Sequence, residues 1–153
     1  MTTRPMICLL ALVISACAPT PPSPLGQAEV QEFVRQYMAA TNAWDASKIM
    51  ELINKDQTVS TITDGNIYRG WDAIRNITDE SIAANPQEKI TVGTIDVIAL
   101  SSDSALVVAS MSISSLQVGS TAMDDVPGAL TIIVKRTPAG LRLIHEHYSF
   151  RTE

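Results

Sequence analysis

Between Glu29 and Trp44, in EVQEFVRQYMAATNAW, apolar positions recur at Val30, Phe33, Val34, Tyr37, Met38 and Trp44. Spacings of three and four predict one face of an amphipathic helix. Asp45 reads as the N-cap of a second, shorter helix over ASKIMELI that buries Ile49, Leu52 and Ile53. The period then changes. DQTVSTIT is β-branched and predicts a strand, Asp64-Gly65-Asn66 a hairpin turn, and IYR a brief returning strand. Gly70 introduces a third helix over WDAIRNITDESIAA, with Asp72 in its first turn and Asn85-Pro86 ending it.

From Lys89 the pattern is strand throughout. KITVGTIDVIAL and SALVVASMSISSLQV are joined by the polar turn SSDS, and GALTIIVKR and LRLIHEHYSF by the turn TPAG. Helices grouped first, with an antiparallel meander after them, predict an α+β domain. Three helices should cover one face of a strongly curved, mainly antiparallel sheet of about six strands.

The first segment, MTTRPMICLLALVISAC, stands outside this scheme. One cation, Arg4, precedes an apolar run from Met6 to Ile14 that is too short to cross a bilayer as a helix. Ile14-Ser15-Ala16-Cys17 resembles the lipobox of bacterial lipoprotein signal peptides, which implies cleavage before Cys17 and lipidation of that residue. An ordinary secretory signal with a coincidental cysteine is the alternative. The expected organisation is a signal peptide over 1–16, a lipidated Cys17 and Pro-rich tether over 17–27, and one domain over 28–153.

Cys8 falls in the discarded segment and Cys17 would carry lipid, so the mature chain keeps no thiol for a disulfide, a metal cluster or a nucleophile. Acyl chains would hold the protein on a membrane without spanning it, in the bacterial cell envelope. Ala18 replaces the aspartate that signals inner-membrane retention in some Gram-negative lipoproteins. In such a source the outer membrane, facing the periplasm, is favoured. Without Arg4 the chain has ten Lys/Arg against sixteen Asp/Glu, a formal charge of −6. A scattered acidic surface argues against nucleic acid and against electrostatic docking on anionic lipid.

Three stretches together resemble the NTF2-like superfamily, and its SnoaL-like group in particular: NAWDASKIMELI, DGNIYRGWDAIR and GALTIIVKRTPAGLRLIHEHYSF, the last ending in His145, His147 and Ser149. Leu141 stands where relatives often carry tryptophan, and Ser47 or Lys48 where they carry aspartate. The resemblance implies a cone whose bent sheet encloses a cavity, homodimers through the outer face of the sheet, and either catalysis or binding without catalysis.

RLIHEHYSF holds both histidines of the chain. Strict alternation puts Leu141, Leu143, His145, His147 and Ser149 on one face and Arg142, Ile144, Glu146, Tyr148 and Phe150 on the other. Alternation alone does not say which face meets the cavity; the resemblance favours the histidine face. His145, His147 and Ser149 could then hydrogen-bond a ligand, or a histidine could act as acid or base near neutral pH. A structural network is the plainer reading. A metal would need a third ligand beyond the two histidines, so neither metal nor cofactor is expected.

Asp96 shares its face with Ile90, Val92, Ile98 and Leu100 under strict alternation. There it would be costly unless paired or protonated, and a raised pKa would suit a general base. A bulge near Gly93 or an exposed margin would instead carry it to solvent. Trp44, Tyr68 and Trp71 are expected in the core and at the cavity rim.

Two functions follow as expectations. The first is a lipid-anchored domain binding a small, mainly apolar or amphipathic molecule, or a partner protein, without catalysis. The second is an acid–base isomerase, cyclase or dehydratase using His145 or His147, with Asp96 a lesser candidate.

Overall fold

The computed structural model describes residues 24–84, 88–116 and 123–151. Cys17, its leader, most of the tether and the Asn85-Pro86 helix stop lie outside the described residues. Three helices, α1 (Gln27–Asn42), α2 (Ala46–Leu52) and α3 (Trp71–Ala84), pack on six strands. The strands are β1 (Ser60–Thr63), β2 (Asn66–Arg69), β3 (Lys89–Ala99), β4 (Ser104–Leu116), β5 (Met123–Thr137) and β6 (Gly140–Phe150). They form one mixed sheet in the order β2-β1-β6-β5-β4-β3. Among the described strand pairs, β1–β6 is parallel and the others antiparallel, with one further parallel bridge between Ile53 and Leu143.

Local chemistry accounts for the joints. Asp45 caps α2, its Oδ1 accepting from the Lys48 amide at 3.1 Å. Asp64 and Gly65 both have positive φ, 50° and 76°, as the tight β1–β2 hairpin requires. The end of α1 closes as a Schellman motif. The Trp44 amide bonds to the Thr41 carbonyl at 3.0 Å and the Asp45 amide to the Ala40 carbonyl at 3.3 Å. The left-handed position at its centre, φ 54°, is occupied by Trp44 where glycine is usual.

Between helices and sheet lies the core. Val30, Val34 and Met38 of α1 meet Val107, Leu130, Ile132, Val134 and Leu143 of the sheet, all buried. Two amides on α1 tie it to β3. The Asn42 side chain donates to the Ile90 carbonyl and accepts its amide, both at 2.8 Å, and Gln31 donates to the Ile95 carbonyl at 3.1 Å.

Two bulges decide which side chains face inward. In β3, Gly93 and Thr94 together oppose Ser110, so the register shifts between Val92 and Ile95. Ile90, Val92, Ile95 and Val97 pack inward while Asp96 is exposed. In β6, His145 pairs with Ile133 and Leu143 with Val134, leaving Ile144 as the extra residue. Inward positions therefore run Leu141, Leu143, Glu146, Tyr148 and Phe150. This corrects the strict alternation expected for the strand. From Ile144 onward the faces exchange.

Candidate functional site

The exchange determines the polar lining of a cavity of about 410 Å³ between the helices and the concave sheet. His145, His147 and Ser149, expected on its wall, do not line it. His147 and Ser149 are exposed, and half-buried His145 shares a 2.8 Å hydrogen bond between its Nδ1 and the Ser60 hydroxyl on β1. Burial lowers the His145 pKa, and the neighbouring His147 and Arg69 push it the same way. Asp96 lies outside the cavity too.

In their place stands Glu146, 3 % exposed. One carboxylate oxygen accepts from the Tyr37 hydroxyl at 2.7 Å and from the Tyr148 hydroxyl at 3.0 Å; the other accepts from Thr61 at 2.8 Å. Helix α1, strand β1 and strand β6 each supply part of this cluster. Burial pushes the Glu146 carboxyl above its ordinary range, and the three donated bonds pull back without cancelling the effect. Both phenols lie well above their usual value, chiefly through burial and then through the adjacent carboxylate.

Above this polar floor the walls are apolar: Ile49, Ile74, Ile77, Ile82, Ile90 and Ile113. Trp44 and Tyr68, both expected at the rim, line it. Asp64 and Glu88 complete the mouth. Burial raises the Glu88 pKa, with a further push from Asp64. Trp71 is placed elsewhere. It borders a second cleft with Lys55, Arg75 and Arg142, its ring 5.0 Å from the Lys55 ammonium and its indole nitrogen buried without a hydrogen bond.

Chemically, the main cavity joins a carboxyl of raised pKa to two phenols at the end of an apolar chamber. That arrangement can bind a polar group of a hydrophobic molecule, and it can hold and transfer a proton. Among the described residues no group of three His, Cys, Asp or Glu side chains is placed to hold a metal.

The sequence signal for Glu146 was its acidic character amid a hydrophobic strand, but a strict two-residue period assigned it to the outer face. In the sequence Tyr37 is one position of the apolar stripe of its helix. Thr61, Tyr148 and Glu88 carried no distinguishing signal.

Residues 19–153 match the family model described as a SnoaL-like domain. No curated protein matches the chain in sequence. An NTF2-like superfamily protein from Salmonella enterica is 16% identical, with a TM-score of 0.71 over 82% of this chain and 91% of that one. A candidate dehydratase of the NTF2-like family from Streptomyces avermitilis is 18% identical, with a TM-score of 0.72 over 82% and 96%. A ketosteroid isomerase-like protein from Erwinia carotovora atroseptica is 12% identical, with a TM-score of 0.69 over 82% and 96%. At these identities the likeness is one of fold.

Proposed function

Because this chain belongs to the SnoaL-like family, we propose that it is a cell-envelope binding protein, held by lipid on Cys17, whose cavity takes up a small, mainly apolar molecule. The observation that carries the reading is the chamber itself. Its volume of about 410 Å³ suits a small organic ligand, isoleucine and aromatic side chains supply its apolar lining, and three hydroxyl groups converge on Glu146. In a Gram-negative source the outer membrane facing the periplasm is the expected address. Association of two copies through the outer face of the sheet fits the exposure of Ile98 and Val108, 51% and 40%, on that face.

Native mass spectrometry of the purified mature protein tests the binding reading. A co-purifying organic mass, released on denaturation, is expected. A stoichiometric metal ion in its place would overturn the proposal.

A second reading is acid–base catalysis of the isomerase, cyclase or dehydratase kind. The burial-raised Glu146 carboxyl within bonding distance of two phenols favours it. Glu146 takes the role first assigned to the histidines, accepting a substrate proton while Tyr37 or Tyr148 turns its hydroxyl to a developing oxyanion. Turnover abolished by Glu146→Gln and unaffected by His147→Asn would separate this reading from passive binding.

A further inference from the structure

We infer that the cavity selects a small organic cation, an ammonium group carried on an apolar body. The inference rests on the reading of the cavity as a small-molecule site and names its ligand class. Three independent features of the chamber converge on it.

The first is charge. Asp64, Glu88 and Glu146 line the cavity, and among the described residues no lysine, arginine or histidine does. An anion entering would meet three carboxyl groups and no counter-charge. An ammonium would satisfy one of them, and at the mouth it would relieve the repulsion between Asp64 and Glu88.

The second is the supply of hydrogen-bond donors. Tyr37, Thr61 and Tyr148 each have one hydroxyl proton, and all three are committed to Glu146. Thr41 and Thr78 donate to carbonyls one turn back on their own helices, at 3.0 and 2.8 Å. The Asn42 amide gives one N–H to the Ile90 carbonyl and accepts the Ile90 amide on its oxygen, and Thr63 donates to Asp64 at 3.4 Å. Donors that remain are the second Asn42 N–H and those of Tyr68, Ser81 and the Trp44 indole. The deep polar surface therefore presents lone pairs, and a ligand must bring the protons.

The third is the aromatic wall and what it costs to hold. Tyr37, Trp44, Tyr68, Tyr148 and Phe150 line one chamber, and aromatic faces attract cations, with tryptophan strongest. Trp44 is fixed there at φ 54°. The left-handed conformation disfavours residues with a Cβ, so glycine would serve the turn better. Strain retained at a cavity wall marks a position kept for its side chain.

Isothermal titration of the mature full-length chain with a matched series tests the inference: 4-phenylbutylamine, 4-phenylbutanol and 4-phenylbutyrate at pH 7.5. The amine should bind roughly tenfold tighter than the alcohol, and the carboxylate weakest. Trp44→Leu, which keeps an apolar side chain and loses the π face, should weaken the amine by a several-fold larger factor than the alcohol. Glu88→Gln at the rim should likewise narrow the preference for amine over alcohol, as should Glu146→Gln, and the Glu88 variant carries the test if the Glu146 variant does not fold. Equal affinity for amine and alcohol, or tighter binding of the carboxylate, overturns the cation inference and leaves the binding cavity standing. Failure of all three probes to bind overturns both.

Discussion

The Tyr37 hydroxyl on α1 donates a 2.7 Å hydrogen bond to the Glu146 carboxylate on β6, 109 positions later in the chain. A helix is thereby fastened to the centre of the sheet by a polar bond inside an otherwise apolar core. Hydrogen bonds to charged groups contribute about 1.5–3 kcal/mol, and buried groups left unpaired cost a similar amount. Tyr37→Phe should lower unfolding free energy in urea by about 1–3 kcal/mol. Stability unchanged within error would show that the bond does not hold the helix to the sheet.

Glu146 also sets a pH dependence. Its folded pKa is raised, so its contribution to stability is fully present below the ordinary glutamate pKa of about 4.3 and is lost as pH rises through the folded value. Glu146→Gln keeps the shape and removes the titration. The stability of the variant relative to the parent should therefore rise with pH above about 4.3, followed by denaturant midpoints. His145 works in the opposite sense. Its depressed pKa gives stability present above about 6.5 and lost as pH falls through the folded value. Parallel pH profiles for parent and Glu146→Gln would sink the assignment.

Deleting Ile144 should be tolerated, because β6 carries there one residue more than β5 needs. Removal of the bulged residue leaves Leu143 opposite Val134, His145 opposite Ile133 and Glu146 opposite Ile132, so Glu146, Tyr148 and Phe150 stay inward. Ile144→Thr should fold with a near-native circular dichroism spectrum. The deletion should keep a cooperative thermal transition and the pH dependence set by Glu146, and loss of either would contradict the role given to the bulge.

Two glycines should respond differently to a methyl group. At Gly128 an added Cβ would lie 2.6 Å from the Ser149 carbonyl oxygen and 3.0 Å from the Phe150 ring, so β5 and β6 must separate. Gly128→Ala should cost about 1–3 kcal/mol, the usual cost of overpacking. At Gly93 the nearest atom is the rotatable Ser110 hydroxyl, at 2.5 Å. Gly93→Ala should cost less, because that hydroxyl can turn aside at the loss of its 3.1 Å bond from the Thr94 amide. Thermal melts of the pair decide it, and equal losses would mean that backbone proximity is not the controlling factor.

The lipid anchor has its own test. Cys17→Ser should abolish labelling by a palmitate analogue and release the protein from the membrane fraction or leave it as an unprocessed precursor. A variant labelled and anchored like the parent would remove Cys17 from the proposal.

Element order was legible because it rests on strong local signals. The three- and four-residue spacing of Val30, Val34 and Tyr37, the Asp45 cap and the Asp64-Gly65 turn are each decided within a few residues. The site was not, because it depends on a single inserted residue. Ile144 resembles any other strand isoleucine, and its bulge is set by how β6 meets β5. With the faces exchanged, the carboxylate that seemed to point away became the polar centre of the cavity. The β3 bulge was easier to foresee, since Gly93 interrupts a β-branched run and Asp96 would otherwise have fallen among isoleucines.

Helix α1 links two ends of the molecule. The chain enters it at Gly26 and Gln27, while Thr41, Asn42 and Trp44 at its far end border the cavity beside Asp64 and Glu88. Sixteen helical residues span about 24 Å. If Cys17 sits in a bilayer, α1 sets the opening a helix length beyond the point where the tether meets the domain. Cargo arriving through water or from a facing protein would suit that separation. The protein would work as a receptor at arm's length from its own membrane.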